Sequence, residues 1–415
     1  MLGVNSYFHD ASVCLIRDGE IVAALEEERW YRDDKHTTVF PLRSLRYALE
    51  AAADSGLKID HLGVNMSPVR CFGDAAGPGG ALAGYTRRHH KNFKHLRKAT
   101  QQTNREVRRA LRRFGYPADY TFHEVAHHEA HAASTFFVSP FDEAAILTVD
   151  GNGEWATTST FVGKGNQVER LGRVGLPHTL GGVYGSITEY LGFKRNNDEF
   201  KVMGLSSYGD PERFKEQIAK LIWPTEDGFF QVDPAYFNIG PFDFRPGERL
   251  VELFGQPTRE RESELLDFHK DVAAALQART EEVGVHMARH LQQQTGLKKI
   301  CMAGGVALNC VMNTRILTDT DFEDIYIQPA SYDAGGSLGA CYWIYNQILG
   351  QPRGPVMDRA NFGPSFEDEE IESILKEGLL RYRKTDDIAL EAAKLIAEGK
   401  IVGWFQGRAE FGPRA

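Results

Sequence analysis

Apolar and polar positions alternate in short runs at the start of the chain and again near its middle. GVNSYFHDASVCLIRDGEIVAALEEER, residues 3–29, reads as a short strand, a second run, a turn at Asp18-Gly19 and a third run. Alternation on both sides of an Asp-Gly dipeptide is a hairpin signature. The design returns in AAILTVDGNGEWATTSTFVGKGNQVERLGRV, residues 144–174, where an apolar strand ends at Asp150 and two β-runs flank a Gly-Lys-Gly-Asn turn. Helical periodicity follows each opening, first in PLRSLRYALEAAAD. It is longest in ESELLDFHKDVAAALQARTEEVGVHMARHLQQQTG, which Gly296 terminates. KKICMAGGVALN and DIYIQPASYDAGGSLGACYWIY each read as strand, glycine turn and helix start.

A strand, a polar turn and an antiparallel hairpin in each half predict an internally duplicated α/β protein. The actin, hexokinase and Hsp70 type of fold is built this way, with two ribonuclease-H-like lobes around a nucleotide cleft. The lobes are expected at about 1–140 and 141–350, with an insertion at about 210–265. Gly73 to Gly84 reads as a mobile loop, and Phe237 to Gly255 as irregular. Residues 351–385 read as a linker, followed by a helix from about Ile388 and a last strand, IVGWFQG.

Composition narrows the class. Hydrophobic residues at 42% and charged residues at 25% describe a globular chain with a core, and no run approaches a membrane span. The cysteines are Cys14, Cys71, Cys301, Cys310 and Cys341, scattered and without a CxxC pair. That predicts a reducing, cytoplasmic compartment, with neither a disulfide framework nor a thiolate zinc site. A net charge of -9 disfavours a general nucleic-acid binder. Against that trend, Arg87 to Arg113 carries eleven Lys/Arg and one acid, Glu106. It reads as a solvated basic helix or as a wall that attracts an anionic partner.

Several residues are candidates for chemistry. In HEVAHHEAHAAS, His127 and His131 stand four apart, so a helix would bring both imidazoles to one face where they can grip one metal ion. His123 stands four before His127, which leaves the register open. Asp333, in SYDAGG, offers a third ligand or a helix cap. Gly304 and Gly305 form a turn that brings backbone N–H groups close to an anion, or simply a tight turn. Asp150, beside Gly151 and Gly153, can orient a metal-bound water or a phosphate, or serve the turn itself. His9 and Asp10 follow the first strand, Lys35 and His36 follow the acidic run Glu26 to Glu28, and Asp198, Glu199, Lys201 and Gly204 cluster in NDEFKVMGLSSYG.

Seven motifs, in order along the chain, resemble the NodU/CmcH family of O-carbamoyltransferases: FHDASVCLIRDGEIVAALEEER, HHEAHAAS, VDGNGEW, DEFKVMGLSSYG, AGGVALN, PASYDAGGSLGA and GRAEFGPRA. The resemblance implies an actin-like transferase domain over residues 1–350. It also implies that residues 386–415 begin a YrdC-like α/β domain that makes carbamoyladenylate from carbamoyl phosphate and ATP, with Mg2+ accompanying the ATP. The transferase domain would then move the carbamoyl group to a hydroxyl of a small-molecule acceptor, as in antibiotic biosynthesis. By the same resemblance, His127, His131 and Asp333 hold divalent iron, which closes the register question. Gly151, Gly153, Gly304, Gly305 and Asn309 contribute to the nucleotide site, Asp150 faces metal and nucleotide, and His9 lies near the carbamoyl group. Lys35 and Lys201 line the cleft, and Arg408 and Arg414 suit an anion clamp. The chain stops inside GRAEFGPRA, which predicts a truncated second domain unable to make the adenylate. Neither nucleic acid nor membrane is an expected partner. The competing readings are a tRNA threonylcarbamoyl-type transferase, favoured only by the basic stretch, a nucleotide-binding regulatory protein, and a sugar kinase, in which the two-histidine helix has no role.

Overall fold

A computed structural model of the chain describes residues 1–31, 36–52, 58–69, 82–240 and 243–413, with the side chains of 82–92 outside the description. The strands in chain order are β1 (Leu2–Asn5), β2 (Ser12–Arg17), β3 (Glu20–Glu26), β4 (His61–Val64), β5 (Thr121–Glu124), β6 (Glu143–Val149), β7 (Ala156–Lys164) and β8 (Gln167–Gly175). They continue as β9 (Ile222–Pro224), β10 (Phe230–Val232), β11 (Phe237–Ile239), β12 (Phe244–Pro246), β13 (Lys299–Ala303) and β14 (Asp324–Tyr326).

Two five-stranded sheets result, ordered β3-β2-β1-β4-β5 and β14-β13-β6-β7-β8. In the first, β1–β2 and β2–β3 are antiparallel while β1–β4 and β4–β5 are parallel. The second repeats that pattern with β6–β7 and β7–β8 antiparallel, and β6–β13 and β13–β14 parallel. The duplication expected from the two hairpin signatures is present, strand for strand.

Between the sheets lie two short helices, His127–Phe136 and Gly335–Tyr342, every residue of which is buried. Their apolar neighbours come from both sheets: Cys14, Ile16 and Ala24 from the first, Ile146 and Phe161 from the second. Small residues permit the crossing. A Cβ on Gly339 would lie 1.8 Å from the Ala130 carbonyl oxygen, and one on Gly3 would lie 1.9 Å from that of Ser337. Fully buried Phe136 and Leu338 each contribute roughly 1.5–3 kcal/mol by burial alone. This helix pair presents three of the predicted metal-site residues, His127, His131 and, just before Gly335, Asp333.

The long amphipathic helix is Asp267–Thr295, and Gly296 ends it in the left-handed region at φ 69°. The basic stretch lies within the helix Leu82–Arg113. The mobile loop expected at Gly73 to Gly84 lies largely outside the described residues, with the helix already running from Leu82. Phe237 to Gly255 is more regular than expected: β11 pairs with β12, and a helix spans Glu248–Phe254. Conversely, IVGWFQG forms no strand. Among the described residues no strand lies beside it, and its backbone groups have no ladder to join.

Residues after 350 divide in two. Arg353 donates to the carbonyls of Phe136, at 2.9 Å, and Phe137, at 3.3 Å, closing the end of the histidine helix. Phe362 and Phe411 are buried against the lobes. Between them, the helices Asp368–Glu377 and Ile388–Ala397 leave Ile374, Ile388 and Ile396 exposed, as is Leu380 in the segment that joins them.

Candidate functional site

The histidine helix starts at His127 after Ala126, which has no side chain to cap it. The cap arrives from the β6–β7 turn instead. Both carboxylate oxygens of Glu154 accept from the His127 N–H, at 3.1 and 3.3 Å, and Glu154 Oε1 also accepts from the Ser67 N–H at 2.7 Å. A buried carboxylate at a helix N-terminus satisfies free N–H groups and complements the helix dipole. Gly153 must be glycine for a related reason, since a Cβ there would lie 2.8 Å from the Cβ of His127.

One turn of helix later stands His131, and both rings aim Nε2 inward. The two Nε2 atoms are 3.0 Å apart, and Asp150 Oδ2 lies 2.8 Å from His127 and 3.1 Å from His131. Asp333 Oδ1 lies 3.4 and 3.5 Å from the same two nitrogens. All four side chains are buried, and their donor atoms lie within 4.8 Å of one another. Asp150 is itself fixed, with Oδ1 accepting from the Gly151 N–H at 2.8 Å and the Gly305 N–H at 3.1 Å.

Electrostatics follow the geometry. Burial, the largest influence on each group, disfavours charge, but the mutual attraction of imidazoles and carboxylates outweighs it. His127 is held well above its ordinary value, chiefly by Asp333 and then Asp150, and Asp150 is held well below its own by the two histidines. His128 lies between them and is pushed the other way, to about 3, by burial and by the charges of His127 and His131. It is neutral and structural, bonded to the Thr148 hydroxyl at 2.7 Å and the Ala156 carbonyl at 3.1 Å. His123 sits on β5, 3.0 Å from His61, which places it outside the cluster.

The donor set suits a divalent first-row metal. Ligand atoms about 2.1 Å from a metal ion stand roughly 3.0 Å apart along an octahedral edge and roughly 3.4 Å along a tetrahedral one. The five separations that involve an imidazole run from 2.8 to 3.5 Å.

Residues 1–342 match the family described as carbamoyltransferase N-terminus. The chain belongs to that family. An uncharacterised Synechocystis sp. protein is 38% identical over the whole of this chain and 69% of its own length. Nodulation protein NolNO of Sinorhizobium fredii is 35% identical over 99% of this chain and 58% of its own. The 3'-hydroxymethylcephem-O-carbamoyltransferase of Streptomyces clavuligerus is 26% identical over 54% of this chain and 38% of its own. The chain thus spans between about two fifths and two thirds of these relatives' lengths.

Within this carbamoyltransferase-family chain, the remaining predicted residues fall into three groups. His9 joins the centre at its mouth: Nε2 is 3.5 Å from Asp333 Oδ2, Nδ1 is 2.7 Å from Asp10 Oδ2, and 44% of the side chain is exposed. Burial of the surroundings lowers its pKa, but Asp333 and Asp10 raise it above the ordinary value, with solvent at the exposed edge screening part of their pull. Gly304 and Gly305 also reach the centre. Gly304, at φ 95°, would set a Cβ 2.2 Å from the Val149 carbonyl oxygen, so only glycine lets the turn approach β6.

A second group is committed elsewhere. Asn309 caps the helix Cys310–Asp319 by accepting from the Met312 N–H at 2.9 Å, and its amide exchanges hydrogen bonds with Gln277. Lys201 pairs with Asp198 at 2.9 Å on its own helix. Arg408 donates to the carbonyls of Gly363, at 2.8 Å, and Phe362, at 2.6 Å, and to the Tyr47 hydroxyl at 3.1 Å, so its guanidinium fastens residues 408–411 to the first lobe. Lys35 and Arg414 lie outside the described residues.

Sequence reasoning missed two participants and one pairing of residues it had named. Glu154 is one. Asn5 is another: its amide nitrogen lies 2.9 Å from the carbonyls of His9 and Asp10 and 3.2 Å from that of Asp333, gathering both loops. The pairing is that of His36 with Asp10, with Glu28 alongside. A polar residue ending an apolar strand, as Asn5 does, was the available signal.

Proposed function

We propose that this chain carries the transfer step of an O-carbamoyltransferase, moving a carbamoyl group from carbamoyladenylate to a hydroxyl of a small-molecule acceptor. The observation that carries this reading is the buried convergence of His127, His131, Asp150 and Asp333 with His9 at its mouth. Those four residues would hold divalent iron, which when bound supplies a Lewis acid for a developing oxyanion. In the reaction the acceptor oxygen bonds to the carbamoyl carbon, the bond from that carbon to the adenylate phosphate oxygen breaks, and AMP leaves. The hydroxyl proton has to be taken up. His9 keeps Nδ1 on Asp10 and turns Nε2 toward the cluster, in place to receive that proton or to donate to the carbamoyl oxygen. The turns at Gly151 and Gly304–Gly305 would offer backbone N–H groups to the nucleotide. Supply of the adenylate from carbamoyl phosphate and Mg2+-ATP is assigned to a YrdC-like unit that residues 386–415 begin. The exposed Ile388 and Ile396 support its belonging to a layer apart from the two lobes.

Elemental analysis of anaerobically purified protein tests the centre, followed by transfer from synthetic carbamoyladenylate to a panel of hydroxyl acceptors. Near-stoichiometric iron, lost in a His127→Ala/His131→Ala variant together with transfer, is expected. A folded, metal-free wild type that still binds adenosine nucleotides would overturn the reading in favour of a regulatory protein.

A further inference from the structure

A cavity of about 390 Å3 opens in the second lobe, away from the histidine cluster, and cationic side chains dominate its wall. Lys194, Arg195, Arg245, Arg259 and Arg261 line it, against a single lining carboxylate, Glu189. That balance stands out in a chain of net charge -9. Volumes of this order hold small organic ligands.

The cations divide into two sets. Arg195 and Arg245 are neutralised: Glu189 lies 3.4 Å from the first and 3.3 Å from the second, and Asp243 pairs with both. These pairs build the wall. Arg259 spends its guanidinium on backbone, including the Leu191 carbonyl at 2.9 Å, and stacks 5.3 Å from the Phe193 ring centroid. Its charge therefore stays uncompensated while its position is fixed. Gly192, at φ 80°, admits it, since a Cβ there would lie 2.8 Å from an Arg259 guanidinium nitrogen. Among the described residues, Lys194 and Arg261 carry no carboxylate ion pair, and both are exposed. Glu260, Glu262 and Glu264 alternate with the arginines in sequence but do not line the cavity.

We infer that this cavity binds a tetrahedral oxyanion, a phosphate or sulfate group carried by a small molecule. Three cations without a carboxylate ion pair, one of them immobilised on backbone and one, Arg261, near enough to Asp198 for their charges to interact, form the kind of wall that holds such a group through charge-assisted hydrogen bonds. Thr258 adds a hydroxyl and Phe193 an apolar surface for the rest of the ligand. The inference does not depend on carbamoyl transfer.

Calorimetric titration of the 415-residue chain with inorganic phosphate, pyrophosphate and sulfate tests it. One saturable event is expected, weakened at least roughly tenfold in Lys194→Ala/Arg261→Ala, whose exposed positions leave the fold intact. The same event should be unchanged in Arg105→Ala/Arg112→Ala, which removes two charges from the rival basic helix. The order of phosphate and sulfate affinities identifies the kind of ester carried. Absence of binding at millimolar concentration would overturn the inference, as would loss in the helix variant with retention in the cavity variant. Either result would leave the iron content, and so the proposed transfer centre, untouched.

Discussion

After the first strand of each lobe stands a buried aspartate flanked by two imidazoles, and the two arrangements are built differently. Asp150 receives both rings from one helix, and its second oxygen is held by two backbone N–H groups. Asp10 receives His9 from its own loop and His36 from another. Its surroundings include Tyr7 at φ 68°, Asp10 at φ 57° and His36 at φ 58°, left-handed conformations that cost non-glycine residues roughly 1 kcal/mol or more each. The helix-borne pair is fully enclosed, whereas His9 keeps 44% of its side chain in solvent. The duplicated fold thus supplies the same strand-end position twice. One copy is made rigid and closed, as a metal-holding donor set requires, and the other is left open at the mouth, where in the proposed transfer substrate and protons would pass.

That contrast breaks most decisively at the two aspartates themselves. Asp150→Ala removes a donor that touches both imidazoles, and the expected result is iron affinity down by more than about 100-fold, beyond the usual cost of losing a supporting partner. Asp10→Ala leaves all four donors in place and should retain iron. Equal iron loss in both variants, measured by metal analysis of folded protein, would erase the distinction between the lobes.

His9→Ala sharpens the same point from the open side. Transfer from carbamoyladenylate should fall roughly 100-fold or more with iron retained, because proton handling at the mouth is lost while the donor set survives. An iron-replete variant with wild-type turnover would remove His9 from the chemistry.

A smaller effect is expected at Glu154, the carboxylate that caps the histidine helix and reaches Ser67 of the first lobe. Glu154→Gln keeps the size but loses the charge facing the helix N-terminus, and should weaken iron binding roughly tenfold. Cobalt substitution gives an independent readout, since altered donor geometry shifts its visible absorption. An unchanged spectrum and affinity would reduce Glu154 to packing.

How much of this was readable in the residues follows from the range of the interactions. The duplicated sheets were legible because alternation and Asp-Gly turns are local, and Gly296 marked its helix end for the same reason. The pairing of His127 with His131 was half legible: spacing allowed it, but only the placement of His123 on β5 beside His61 excludes the other register. Asp150 was legible as a strand-end carboxylate facing a metal or a phosphate, but its direct contact with both imidazoles was not, because its partners stand 23 and 19 residues earlier, where only tertiary packing brings them. Arg408 shows the converse. Its sequence setting looked like an anion clamp, yet the carbonyls of Phe362 and Gly363 claim its guanidinium from about 45 residues away. Hydrogen bonds to backbone carbonyls leave no mark on residue types.

The two lobes should also answer pH differently. Asp150 is held ionised across the working range, but Glu26, at the end of β3, is raised to about 7. Burial is the main cause, opposed by the Arg29 guanidinium and by the hydrogen bond from the Tyr332 hydroxyl. Against an ordinary value of 4.5, the folded chain holds this proton more tightly than the unfolded chain. The sign is then fixed: between about pH 4.5 and 7 the native state binds more protons, so stability is greatest at the low end and declines as pH rises. One proton sets the ceiling of that slope at about 1.4 kcal/mol per pH unit. Glu26→Gln cannot titrate, and the wild-type-minus-variant difference from denaturant unfolding at a series of pH values should isolate the slope. Tyr332 directly precedes Asp333, so iron content measured at each pH also shows whether the proton on Glu26 reaches the closed site. A slope that persists in Glu26→Gln would place the titrating group elsewhere, while a slope that vanishes without any change in iron content would show that the open lobe titrates independently of the closed one.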